Sequence, residues 1–274
     1  MTPRHTWLAP ALLAATVLVA CGSSGTSGPA SASPASPAAA AGTAHVTLQH
    51  QPRGEAKLAL AGNALTVTIT LSGLAPNSIH PAHIHGMGNC SSNSPVIHPL
   101  ANVVANATGS ANVTSTVNGI TSIPASGWYV NVHNGPTLSP QDQFSPIACG
   151  EVHGGSSAVT VPLQQGSGPS QTASGTADLN VTNGQLTVKV TMTGLAPNSV
   201  HAAHIHAGSC TNQGAVVHPL TNITANGSGQ ATTLTTVPGV SSIPSGLWYL
   251  NVHGSTDINT QTGFDPIACG DITP

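Results

Sequence analysis

Residues 63–90 read NALTVTITLSGLAPNSIHPAHIHGMGNC, and residues 183–210 read NGQLTVKVTMTGLAPNSVHAAHIHAGSC. In the first stretch Leu65, Val67, Ile69 and Leu71 alternate with Thr66, Thr68 and Thr70. In the second, Leu186, Val188, Val190 and Met192 alternate with Thr187, Lys189 and Thr191. A period of two puts the apolar set on one face of a strand and the polar set on the other, the pattern of a half-buried β-strand. Gly-Leu-Ala-Pro-Asn then ends each strand in a turn. Trp128-Tyr129-Val130-Asn131-Val132-His133 alternates too, with Trp128, Val130 and Val132 on one face and Tyr129, Asn131 and His133 on the other. No stretch after the N-terminal segment carries a long helical period, so the sequence predicts an all-β chain.

The repetition extends outward from these stretches. VIHPLANVVANATGSA (96–111) recurs as VVHPLTNITANGSGQA (216–231), SIPASGWYVNVHN (122–134) as SIPSGLWYLNVHG (242–254), and FSPIACGE (144–151) as FDPIACGD (264–271). Two homologous domains follow, at residues 44–153 and 157–273. Each has the usual size of a self-sufficient domain and is too long for a solenoid unit. The expected architecture is two tandem Greek-key β-sandwich or barrel domains.

Residues 1–21 read as a lipoprotein signal peptide. Arg4 supplies the positive start, Trp7 to Ala20 a short apolar run, and Leu18-Val19-Ala20-Cys21 a lipobox with Cys21 as the lipidated residue. The alternative is an ordinary cleaved signal ending near Ala20, with Cys21 incidental. Both readings export the chain, and the first anchors it to the outside of a bacterial membrane, which it touches only through the lipid. Residues 22–43 form a Ser/Pro/Ala linker with little to bury and are read as a disordered tether.

Charge narrows the partners. The net charge is -3, and the four basic residues, Arg4, Arg53, Lys57 and Lys189, are scattered. That excludes a phosphate backbone, hence nucleic acid, and leaves no field to steer a charged ligand. A phosphate-cradling glycine loop and a serine nucleophile elbow are both missing.

Without Cys21, four cysteines remain in an exported chain, and four allow three pairings. The duplication selects among them: Cys90 with Cys149 and Cys210 with Cys269 have the same spacing, one pair per repeat. Two thiol pairs acting as metal ligands are the alternative.

Ten of the fourteen histidines fall at matching places: His80, His83, His85, His98 and His133 in one repeat, and His201, His204, His206, His218 and His253 in the other. In a strand, residues two apart share a face, so His83 and His85 can converge on one ion while Ile84 faces the core. With His98 and His133, four imidazoles meet if their strands are neighbours; the alternative is a set of structural histidines. Four neutral imidazoles without thiolate or carboxylate suit copper best, with zinc or nickel as other candidates.

At these residues each repeat resembles the copper/zinc superoxide dismutase family. The shared pattern is G-L-x-P-x-x-x-H-x-x-H-x-H, then a Cys, a His, a V-x-V-H-like strand and A-C-G near the end. The resemblance implies a Greek-key β-barrel, with His83, His85, His98 and His133 as copper ligands in one repeat and His204, His206, His218 and His253 in the other. It makes His80 and His201 second-shell histidines and Cys90–Cys149 and Cys210–Cys269 the disulfides. It also makes His98 and His218 the catalytic residues that carry a proton when they leave reduced copper. The zinc loop has no counterpart after His98-Pro99-Leu100 or His218-Pro219-Leu220, and Pro146 and Pro266 stand where the family has its active-site arginine. A copper-only relative with no zinc site is therefore implied, with superoxide as its small-molecule substrate.

A second resemblance is to the CHRD (chordin-type) domain. His83-Ile84-His85-Gly86 and Tyr129-Val130-Asn131-Val132-His133 match its H-I-H-G-like segment and its Tyr-x-Asn-x-His strand, although Ala148-Cys149-Gly150-Glu151 replaces its usual G-E-I-R-G ending. This resemblance implies a non-enzymatic binding or adhesion module. The sequence thus leaves two functions open: an exported copper lipoprotein that dismutates superoxide, or a CHRD-like binding module or copper storage and delivery protein. Enzymatic activity stays undecided between them.

Overall fold

The computed structural model describes residues 42–274. The signal segment with Cys21, and the linker as far as residue 41, lie outside the described residues. From the N-terminal side the strands are β1 (Thr43–His50), β2 (Arg53–Ala61), β3 (Ala64–Ser72), β4 (Ile79–His80), β5 (Ala82–Gly86), β6 (Val96–Pro99), β7 (Val103–Val104), β8 (Ser110–Asn118) and β9 (Trp128–His133). A single turn of helix, α1 (Gln141–Phe144), precedes β10 (Pro146–Val152) and β11 (Ala158–Leu163). The second half repeats the series: β12 (Ser174–Thr182), β13 (Gln185–Thr193), β14 (Val200–His201), β15 (Ala203–Ser209), β16 (Asn212–Pro219), β17 (Ile223–Thr224), β18 (Ala231–Pro238), β19 (Trp248–His253), α2 (Gln261–Phe264) and β20 (Pro266–Ile272). The chain is nearly all-β, as its alternation requires.

The alternation also sets the faces. Along β3, Leu65, Val67, Ile69 and Leu71 are buried, while Thr68 on the outer face meets Thr114 of β8, hydroxyl to hydroxyl at 3.0 Å. In the second half the strands run in the order β16-β15-β19-β20-β1-β12-β13-β18. In the first half the matching strands form two sheets, β10-β9-β5-β6 and β11-β2-β3-β8. Each body encloses its own apolar core.

The two bodies exchange a strand. β1 does not pair with β2, the strand that follows it; it lies between β12 and β20, with Val46 opposite Ala177 and Gln49 opposite Cys269. Its Val46 and Leu48 enter the core of the second body. The matching place in the first body is filled by β11, which pairs with β2 and sends Val161 and Leu163 into the first core. The first body is therefore the unbroken stretch Arg53–Leu163, nested between β1 and β12 of the second.

Turn chemistry gives a reason. Asn183 and Gly184 join β12 to β13 with φ of 53° and 74°, the pair of positive angles that a two-residue hairpin favours. Only Gln51 and Pro52 separate β1 from β2. Glutamine resists a positive φ and proline forbids one, so a tight hairpin is disfavoured there and the two strands part. Gly150 and Gly270 admit the exchanged strands: a Cβ would stand 2.3 Å from the Pro162 carbonyl oxygen in the first case and 2.4 Å from that of Thr47 in the second.

Cys90 is bonded to Cys149 and Cys210 to Cys269, with Cα separations of 5.8 and 5.9 Å. These are the pairings that the duplication predicts, one per repeat. Between the bodies, Gln261 donates from Nε2 to the Ile79 carbonyl (2.8 Å), and the buried Asp265 accepts from the Ala75 N–H (2.9 Å).

Candidate metal centres

In each body three histidines converge on the same face of the sheet. In the first, His83 and His85 come from β5 and His133 from β9; in the second, His204 and His206 come from β15 and His253 from β19. Each residue offers one ring nitrogen, and within a trio these atoms all lie within 4.8 Å of one another. That spacing allows three donors to share one ion, since metal to imidazole bonds run about 2.0–2.1 Å.

Hydrogen bonds fix which nitrogen is offered. His85 donates from Nδ1 to the Ser94 carbonyl (2.7 Å), and His133 donates from Nδ1 to the Phe144 carbonyl. In the second body His206 donates to Gly214 (3.0 Å) and His253 to Phe264 (2.6 Å). A carbonyl only accepts, so each Nδ1 carries the proton and each Nε2 keeps its lone pair. The Nε2 atoms of His85, His133, His206 and His253 are buried without a hydrogen-bond partner, and so are the Nδ1 atoms of His83 and His204. Three unpartnered buried ring nitrogens in each trio are a costly arrangement unless a cation sits among them.

The electrostatics favour the ligand form. Burial, reinforced by the neighbouring His133 and His85, pushes His83 down to about 4. Burial, with His204 and His206 adding to it, takes His253 to about 4 as well. His133, His204 and His206 are lowered mainly by burial. Neutral imidazoles at physiological pH are what a transition metal requires.

Packing holds the rings. Tyr129 stacks on His85 with centroids 4.8 Å apart, and its hydroxyl donates to the Ser92 carbonyl at 3.0 Å. Tyr249 stacks on His206 at 5.0 Å, and burial raises its phenol well above the usual range. His80 is fully buried behind the first trio: its Nδ1 donates to the His133 carbonyl (2.9 Å), and Ser78 Oγ lies 2.7 Å from its Nε2. His201 repeats this behind His253, with Ser199 in the place of Ser78. Both support the ligand strands without joining the trios.

His98 and His218 are not brought to the centres. β6 pairs with β5 so that His98 stands opposite Ile84, and His218 stands opposite Ile205. Directly paired residues share a face, and this is the core face, turned away from His83 and His85. His98 lies edge-on to Trp128 at 5.3 Å and His218 to Trp248 at 5.0 Å. Of the four imidazoles expected from the sequence in each repeat, three come together, and His98 and His218 lie outside the trios.

Sequence reasoning missed the carbonyls of Ser94, Gly214, Phe144 and Phe264, for which no side-chain pattern exists. It placed Tyr129 and Asn131 on the His133 face but gave them no role. The residues that are present fit a copper ion: three borderline nitrogen donors, no thiolate and no carboxylate.

Comparison with known proteins agrees with one of the two resemblances. The sequence profile of the CHRD domain matches the chain twice, at residues 23–136 and 155–257. No curated protein sequence matches it. The resemblance to the dismutase family receives no support from these comparisons.

Proposed function

The chain belongs to the CHRD-domain family, and on that premise we propose that it is a non-enzymatic binding module whose two bodies each hold one copper ion between three imidazoles. The supporting observation is the set of six buried ring nitrogens, three per body, that have no hydrogen-bond partner. Copper bound there would supply a redox-active ion with an open side. The protein's own residues do the rest: backbone carbonyls fix the tautomers, Tyr129 and Tyr249 lock one ring each, and the disulfides tie down the loops that carry Cys90 and Cys210.

In this reading the signal segment exports the chain, Cys21 carries a lipid anchor, and residues 22–41 hold the bodies away from the membrane surface. Storage or presentation of copper outside the cell is then its task. Superoxide dismutation is the competing activity. Against it stand the absent steering charge and the position of His98 and His218 on the core face.

The test is to express the full chain with copper, measure bound metal, and assay superoxide turnover. Two coppers per chain, with turnover no greater than that of the His83→Ala, His204→Ala variant, are expected. A chain that takes up no copper contradicts the proposal. Turnover that depends on both trios moves the chain back among the enzymes.

A further inference from the structure

Asn131 is 5% exposed and Asn251 is fully buried, yet Asn131 Oδ1 and both Oδ1 and Nδ2 of Asn251 have no hydrogen-bond partner in the protein. Leaving a buried amide unpaired is costly. Both side chains sit where the registers of three strands meet. Asn131 lies opposite His83 on β5 and opposite Cys149 on β10, and along its own strand it stands between Tyr129 and His133. Asn251 repeats this with His204, Cys269, Tyr249 and His253. Residues two apart on a strand are about 7 Å apart and neighbouring strands about 5 Å, so Asn131 stands directly across from His83, next along its face to His133 and diagonal to His85, and Asn251 repeats this with His204, His253 and His206.

A metal ion alone would satisfy only an amide oxygen. Asn251, with both amide ends unpaired, needs a partner that accepts as well as donates, and Asn131 Oδ1 needs a donor. In the first body Asn131 and His85 also line a cavity of about 390 Å³, together with Ser92, Asn93, Gln141 and Ser145. No charged side chain lines it.

Resting on the copper reading above, we propose that Asn131 and Asn251 are positioning residues that hold a small exogenous ligand on the open side of each centre. The ligand class is water or a small monoanion: Nδ2–H donates to the anion and Oδ1 accepts from its protonated form. Three neutral imidazoles leave the charge of a divalent ion uncompensated, which favours an anion there.

The probe is azide, titrated into the copper(II)-loaded full chain and followed by its charge-transfer band and by electron paramagnetic resonance. Asn131→Leu with Asn251→Leu keeps the bulk and removes the hydrogen bonds; copper should still bind at two per chain while azide binds about fivefold more weakly, the effect of one lost hydrogen bond. Asn131→Ser with Asn251→Ser restores a hydroxyl and should recover part of the affinity. Azide affinity within twofold of wild type in the leucine variant, or in Asn131→Ala with Asn251→Ala where the leucine variant does not fold, overturns the inference and leaves the copper reading standing. A wild-type chain that binds no copper overturns both.

Discussion

His85 donates from Nδ1 to the Ser94 carbonyl at 2.7 Å, and Ser94 lies four residues beyond Cys90, which is bonded to Cys149 on β10. The loop that orients a proposed metal ligand is therefore tied covalently to the far strand of its sheet. Replacing Cys90 and Cys149 by serine should destabilise the first body by about 4 kcal/mol, the chain-entropy value for a closed loop of this length. It should also weaken copper binding at the first centre by about tenfold, through the freed orienting carbonyl. Urea melts and a copper titration read the two effects separately.

The nesting of the bodies sets which fragment folds. Residues 53–165 hold every strand of the first body, β11 included, whereas residues 44–153 keep β1 and lose β11. The longer-ending fragment should be a folded monomer with a cooperative melt. The other leaves β2 unpaired along one edge and is expected to be unfolded or to pair with a second copy. Circular dichroism and size-exclusion chromatography distinguish these states.

Asp265 gives the metal-free chain a falling limb of stability with pH. Burial pushes its carboxyl from 3.8 up to about 8. The folded chain therefore keeps a proton that the unfolded chain has lost, and this contribution, full below 3.8, falls as pH rises and is gone above about 8. His80 and His253, lowered from 6.5 to about 4 by burial, act in the opposite sense and destabilise the fold as pH drops through that window. Stability should peak near pH 6.5 and decline toward 8. In Asp265→Asn the upper limb should flatten, as thermal melts at pH 6.5 and 8 would show.

Removing His98 should leave the proposed copper centre intact, because its ring lies against Trp128 on the core face. His98→Ala is expected to keep the copper dissociation constant within about threefold, the size of effect for a residue that touches neither ligand nor carbonyl support. Its cost should appear as a modest loss of stability.

What the sequence made legible was what lies within one strand or one repeat. The alternation of Leu65 to Leu71 gave the strand and its faces, the spacing of His83 and His85 gave two rings on one face, and equal cysteine spacing gave the disulfides. Pairing between strands was not legible. The placement of His98 opposite Ile84 depends on a register shift between Ile84 and His85 that no local pattern marks. The exchange of β1 and β11 is hidden for a related reason. Both strands carry the same alternation and either body could use either one, so only the turn at Gln51-Pro52 hints at the outcome.

The most direct test of the account is a copper titration of the full chain beside three variants, with metal counted per chain. Wild type should bind two ions, His83→Ala and His204→Ala one each, and the double variant none. Two ions retained in the double variant, or none in wild type, would contradict the claim that each body holds its metal between three imidazoles.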